Sequence, residues 1–285
     1  MDELPNLPGF DDISQARRVA GGTHGTTWLA TRSDGSEVVV KAGEHLPDGL
    51  FEAEAEGLRA IAATGAIATP EVLEAGPRHL VLTVLRPLPD NDPTYWEEAG
   101  RAVASLHAHI GHAHGWHRDN WLGQLRQHNP WCDDGHEFFA QYRLFRYLDE
   151  RQVQASLEVD VLRGIERICA RLDTLVPVMP PVLCHGDLWS GNFLATEHGR
   201  PAVIDPAVAY TWAEVDISMM YCEYSPPDVF FDAYHEVHQP EPGWKERLEL
   251  LHLRELLSVL AHFGQYPELC ANTVDRVNDI IANYG

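Results

Sequence analysis

One stretch limits what this chain can become more than any other. It is Val182-Leu183-Cys184-His185-Gly186-Asp187-Leu188-Trp189-Ser190-Gly191-Asn192-Phe193-Leu194, followed by Ala202-Val203-Ile204-Asp205-Pro206. Short apolar runs flank both polar clusters, so each cluster reads as a loop at the end of a strand. Asp187, Asn192 and Asp205 then form a set with a recognisable chemistry. Phosphoryl transfer from a nucleotide needs one carboxylate to orient the attacking hydroxyl and accept its proton. It also needs an amide and a second carboxylate to hold magnesium, an ion that prefers hard oxygen donors. The plain alternative is a pair of Asp- and Gly-rich turns between strands, since these are ordinary turn residues.

Upstream, Arg17-Arg18-Val19-Ala20 runs into Gly21-Gly22-Thr23-His24-Gly25-Thr26-Thr27 and then Trp28-Leu29-Ala30-Thr31. Strand, glycine-rich turn and strand suit a loop whose backbone N–H groups close over phosphates. An ordinary glycine hairpin would look similar, and no Gly-Lys-Ser/Thr of a Walker loop follows. Glu37 to Ala42 is a third strand, and its Lys41 fits the kinase arrangement for gripping α- and β-phosphates. A helix follows over Phe51 to Thr64. Of its three acidic candidates for pairing with Lys41, Glu54 shares a face with Leu58, whereas Glu52 and Glu56 are expected in solvent. Val72–Ala75 and His79–Val84 complete five strands around one helix. Leu85-Arg86-Pro87-Leu88-Pro89 is a proline-broken connector, with Leu85 placed to border an adenine base.

The remainder reads as mainly helical: Trp96–His109, Phe138–Gln154, Leu157–Leu175, a helix opening at Glu214-Val215-Asp216, then helices near Asp228–Val237, Trp244–Phe263 and Ala271–Ala282. Residues 115–131 read as a long aromatic-rich loop. His107, His109, His112, His114 and His117 are dense enough to raise a metal site, but glycines break their spacing and no Cys or carboxylate is interleaved.

The formal charge of −22, from 43 acidic and 21 basic residues, opposes contact with nucleic acid or anionic membranes and favours a cationic acceptor. A solvated acidic surface explains it equally well. Five scattered cysteines without a C-x-x-C pair, no secretory-type start and no membrane-length apolar run predict a reduced, cytoplasmic protein.

The chain resembles the fructosamine (ketosamine) kinase family, related to the aminoglycoside phosphotransferases. The likeness rests on His185-Gly-Asp-Leu-Trp-Ser-Gly-Asn192, with Ile204-Asp-Pro-Ala207, Phe51-x-x-Glu54 and Gly115-Trp116-x-x-Asp119-Asn120-x-x-Gly123. Gln127-x-Asn129, Phe230-Phe231-x-x-Tyr234 and Phe263-Gly264 add to it. The resemblance implies an α+β, two-lobed protein-kinase-like fold, with residues 1–85 as a nucleotide-binding lobe and 86–285 carrying the catalytic loop and acceptor site. It implies ATP and Mg2+ as cofactors and a ketosamine acceptor, free or protein-linked, with no nucleic acid or membrane partner. Asp187 would be the base, Asn192 and Asp205 the metal ligands, Lys41 the phosphate grip and Glu54 its orienter. Gly21, Gly22 and Gly25 would form the cover loop, and Trp189 would present an aromatic wall to the sugar; a core tryptophan is the alternative.

The chain departs from its relatives at Tyr210–Asp216, at Val259 and in the glycine loop, which lacks the cysteine of some relatives. Trp212 is therefore expected to have reshaped the acceptor pocket. Another amino sugar or an aminoglycoside-like cation is the alternative acceptor. A nucleotide-binding pseudokinase is the alternative class, against which the joint presence of Lys41, Asp187, Asn192 and Asp205 argues. A protein-kinase activity is disfavoured by the lack of an Ala-Pro-Glu-like segment after Asp205.

Overall fold

The computed structural model describes residues 12–19, 25–89, 92–222 and 225–285. Its N-terminal part is built on a five-stranded antiparallel sheet in the order β1-β2-β3-β5-β4: β1 (Ile13–Val19), β2 (Thr26–Arg32), β3 (Glu37–Ala42), β4 (Val72–Gly76) and β5 (His79–Thr83). The alternation in β3 decides the chemistry. Val38, Val40 and Ala42 pack with Trp28, Ala30 and Val81 on one face. The opposite parity turns Val39 and Lys41 toward α1 (Leu50–Thr64), whose Phe51, Ala55 and Leu58 cover Leu80 and Leu82. Glu54 lies on that same helical face and is buried with it. Gly65, in the left-handed conformation at φ 67°, ends the helix.

Beyond residue 85 the chain is mainly helical. α2 (Pro93–Leu106) starts at Asp92, whose carboxylate accepts from the Thr94 N–H at 2.9 Å, with Pro93 in the first turn. It packs against the helix Val229–Val237 and over the short strands that carry the polar clusters. These strands pair as Phe193–Ala195 with Pro201–Val203 and as Val182–Cys184 with Ala209–Thr211. Their apolar core includes Trp96, Val103, Leu183, Phe193, Val203 and Phe230, and it takes in Ile61 from α1. A second core gathers the C-terminal helices around Tyr147, Ile165, Ile168 and Leu257. No helix among the described residues is long and apolar enough to cross a membrane.

Several expected elements are divided. The helix expected over Phe138–Gln154 is Gly135–Phe139, a π-helical turn Ala140–Phe145, Arg146–Leu148 and then Arg151–Ser156. The buried Arg143 lies in the widened turn and donates to Asn129 Oδ1 at 2.5 Å and His128 O at 3.1 Å, so a tertiary demand accompanies the irregular pitch. Leu157–Leu175 divides at Arg171 into Val159–Cys169 and Leu172–Leu175, and Trp244–Phe263 divides at His252. The 115–131 loop contains a hairpin, Asn120–Leu122 with Leu125–Gln127, turned by Gly123 at φ 56°.

α2 and Val229–Val237 approach so closely that a Cβ on Gly100 would lie 2.2 Å from the Phe230 carbonyl oxygen. Alanine gains about 1 kcal/mol over glycine within a helix, whereas overpacking a core costs about 1–3 kcal/mol. The obstructing atom is backbone and cannot rotate aside, so the clash should win. Gly100→Ala should lower the unfolding free energy by about 1–2 kcal/mol in urea. A midpoint at or above wild type would mean that the two helices separate freely.

Candidate active site

Lys41 and Glu54 meet as β3 parity requires, Nζ to Oε1 at 2.5 Å, and the same ammonium is ion-paired with Asp205 Oδ1. Burial alone would depress the lysine pKa. The Asp205 and Glu54 carboxylates outweigh it and hold Lys41 well above its ordinary value. Burial pushes Glu54 up, partly offset by Lys41. Asp205 stands at φ 58°, the one non-glycine residue with positive φ among those described. Such a conformation is sparsely populated and is tolerated best by Asp and Asn.

The other half of the site hangs from a buried acid. Asp216, fully enclosed at the start of the helix Ala213–Cys222, accepts the His185 N–H at 2.6 Å and the Gly186 N–H at 2.9 Å. His107 donates its Nε2 proton to Asp216 Oδ2 at 3.2 Å, leaving Nδ1 to accept from the Tyr234 hydroxyl at 2.8 Å. Burial would raise the Asp216 pKa, but hydrogen bonds and charge from His107, with the Gly186 amide, keep it below the usual range. Gly186 sits at φ 83° with a would-be Cβ 2.1 Å from the Ala207 carbonyl oxygen, so only glycine fits there.

His185 then bridges the two polar clusters. It donates from Nε2 to the Ile204 carbonyl at 3.0 Å and accepts the Asp187 N–H at Nδ1 at 3.3 Å. Asn192 Nδ2 donates to the Asp187 carbonyl at 2.7 Å and to its Oδ2 at 3.1 Å, while the Asn192 carbonyl accepts the Ile204 N–H at 3.0 Å. The short ladder joining Phe193 to Val203 thus sets Asn192 beside the chain that delivers Asp205. Asn192 Oδ1 accepts no hydrogen bond from the described residues. An open amide oxygen next to a carboxylate is a donor set suited to magnesium. Burial, reinforced by the nearby charge of Glu255, pushes Asp187 up to about 7, against the pull of Arg254. Asp187, Asp205, Glu54 and Asn120 line one cleft between α1 and the loop 185–192.

Other expected residues are placed as follows. Gly25 is left-handed, with a would-be Cβ 2.4 Å from the Ala42 carbonyl oxygen; Gly21, Gly22, Thr23 and His24 lie outside the described residues. Leu85 is half-buried, and the adjacent Arg86 exchanges backbone hydrogen bonds with Ala195 at 2.7 and 2.9 Å. Trp189 is half-buried with its indole laid over Gly191.

Trp212 requires a correction. It is 1% exposed and packs on His136, Phe139 and His114 at ring-centroid distances of 5.2, 5.5 and 5.9 Å, so it cannot touch an acceptor. Its large apolar area is better satisfied in the C-terminal core than at the cleft. Glu56 is not simply solvated either. Trp116 Nε1 donates to its Oε1 at 2.9 Å, and it pairs with His117 at 2.6 Å and Arg118 at 3.5 Å, which ties α1 to the 115–131 segment. The histidines of 107–117 do not converge. His107 serves Asp216, His112 packs on Trp131, His114 lies in the core and His117 pairs with Glu56.

Asp216 and Arg254 were not singled out by their sequence context. The available signal was a charge inside an apolar helical run, which burial permits only with dedicated partners.

Residues 4–280 match the family model described as fructosamine kinase. The Synechocystis protein named "Probable ketoamine kinase" is 34% identical over 257 residues, covering 88% of this chain and 86% of that one. The chloroplastic protein-ribulosamine 3-kinase of Oryza sativa subsp. japonica is 30% identical, covering 82% and 70%. The crystal structure of a candidate fructosamine-3-kinase from Thermobifida fusca superposes with a TM-score of 0.84 at 28% identity, covering 95% and 94%.

Trp212→Ala should cost about 3–5 kcal/mol of stability, as for other buried aromatic truncations, and leave acceptor ranking unchanged in the folded protein. Wild-type stability with an altered ranking would return Trp212 to the acceptor site.

His114 supplies a pH dependence. Burial pushes it down to about 4, with Asp134 opposing and His136 adding. Between its unfolded value near 6.5 and about 4, the unfolded chain binds a proton that the folded chain refuses. His114 therefore withdraws stability as pH falls through that window. His114→Phe should flatten the pH dependence of the urea midpoint there; unchanged curvature would mean His114 titrates normally.

Proposed function

The chain belongs to the fructosamine kinase family and is a phosphotransferase with an alcohol group as acceptor, and on that premise we propose that it phosphorylates a hydroxyl of a ketosamine, free or protein-linked. The fold is protein-kinase-like and the family implies ATP as phosphoryl donor. We assign residues 1–85 to nucleotide binding and 86–285 to the catalytic loop and acceptor. The reading is supported above all by one juxtaposition: Asp187 bonded to Asn192, and Asp205 paired with Lys41, around a single cleft.

In this reading Asp187 accepts the hydrogen bond of the acceptor hydroxyl and takes its proton as the oxygen attacks the γ-phosphorus. The new P–O bond forms as the bond to the β–γ bridging oxygen breaks, and ADP leaves with that electron pair. A carboxyl held near 7 is matched to this task at neutral pH. Lys41, kept charged by its two carboxylates, grips the α- and β-phosphates, with Glu54 as its orienter. Asn192 and Asp205 would hold Mg2+, which supplies charge neutralisation at the transferring phosphoryl. Gly25, with Gly21 and Gly22, would cover the phosphates, and Leu85 would border the base. Trp189 would present an aromatic wall to the sugar. The alternative acceptor is another amino sugar or an aminoglycoside-like cation.

Turnover with ATP and Mg2+ over ketosamines, free amino sugars and aminoglycosides decides the acceptor; preference for an aminoglycoside would replace the ketosamine. Asp187→Asn should bind ATP normally and lose at least ~10²-fold in kcat. A near-wild-type kcat would remove Asp187 from the base role. Asp205→Asn should shift the Mg2+ dependence of kcat to higher concentration, and a superimposable titration would exclude it as a ligand.

A further inference from the structure

A buried guanidinium sits behind the catalytic loop with no part in the mechanism above. Arg254, on the helix Leu253–Phe263, is 2% exposed. Its neighbours Leu253, Leu256 and Leu257 show what the position would hold if packing were all it did. Burying a guanidinium is costly unless its donors are well used. Nη2 donates to the Gly186 carbonyl and to Gln127 Oε1, both at 2.9 Å. Nη1 donates to Glu255 Oε2 at 3.1 Å and reaches Met219 Sδ at 3.7 Å.

We propose that Arg254 is a positioning residue for phosphoryl transfer, holding the peptide that precedes Asp187 and joining it to the hairpin that walls the cleft. The proposal rests on the reading of Asp187 as base. The Gly186 backbone is gripped from both sides, its N–H by Asp216 at 2.9 Å and its carbonyl by Arg254. With Gly186 already confined by Ala207, the direction in which the chain enters Asp187 has little freedom left.

The second half of the fork runs to the hairpin. Gln127 donates to Asn120 Oδ1 at 3.2 Å, Asn129 donates to the same oxygen at 3.0 Å, and Arg143 holds Asn129 at 2.5 Å. Asn120, with Trp121 and Leu122 beside it, lines the cleft facing Asp187. A single nitrogen therefore spans the wall of the cleft and the loop that carries its acid. A lysine has a shorter, point-like head and cannot reproduce the planar fork with its bond to Glu255.

The test compares Arg254→Lys and Arg254→Ala in the full chain, measuring thermal unfolding, ATP binding, and kcat and KM for ATP. Small misplacements of a catalytic group can cost on the order of 10²-fold. Arg254→Ala should fall in kcat by about that factor and Arg254→Lys by at least ~10-fold, with KM for ATP within about threefold of wild type. Added guanidinium should restore kcat to Arg254→Ala saturably, and not to Arg254→Lys. A kcat within about threefold of wild type in folded Arg254→Ala overturns the proposal. So does guanidinium that raises the melting temperature without raising kcat, or failure of both variants to fold, since each assigns Arg254 to packing alone. Wild-type turnover is measured first. If no ketosamine is phosphorylated, the function above fails, and the same comparison is read on whichever acceptor is used, or on ATP hydrolysis.

Discussion

A lysine ammonium enclosed between two carboxylates is the contact on which the arrangement of the two lobes depends. Lys41 comes from the sheet, Glu54 from α1 and Asp205 from the strand ends of the helical part. Removing one partner from such a buried set strands an uncompensated charge, typically at a cost of about 3–5 kcal/mol. The set therefore holds α1, the sheet and the Asp205 loop in one relation. Glu56 strengthens that relation from the opposite side of α1, through Trp116, His117 and Arg118. One helix is thus held on two faces, and only the inner face carries the residue proposed to orient Lys41.

The loop 185–192 follows a similar logic with different contacts. Beyond one 3-10 turn at Ser190–Asn192 it has no regular structure, so several of its backbone groups are satisfied by side chains brought from elsewhere. Asp216 takes two of its N–H groups, Arg254 takes a carbonyl, and His185 ties it to the Ile204 carbonyl just before Asp205. Most of these partners are fully buried, which makes each bond stronger and each missing bond more costly than at the surface. Anchors this close to Asp187 suit the phosphoryl transfer proposed for it, where positioning and electrostatics supply nearly all of the catalysis.

Much of the sheet lobe was legible because its signals are local. Alternation within Glu37–Ala42 put Lys41 on a definite face, and the helical period put Glu54, rather than Glu52 or Glu56, opposite it. The helical lobe was harder to read. The π turn at Ala140–Phe145 accompanies a buried Arg143 held by Asn129, a contact that no helical period encodes. Trp212 was misassigned for a related reason: a large aromatic beside a functional run looks the same in sequence whether it faces the cleft or the core.

The sequence by itself determined the candidate chemistry. Asp187, Gly186 and Asn192 lie within one loop, where spacing alone limits which groups can meet, and the β3 and α1 periods fix the Lys41–Glu54 pair. Only the tertiary structure decided what holds that chemistry in place. Arg254 reaches Gln127 across 127 positions and Gly186 across 68, and Asp216 reaches His185 across 31. Contacts at such separations arise from the packing of whole helices against one another. No local pattern records them, because the same residues would satisfy the same periodicity with any other partner across the core.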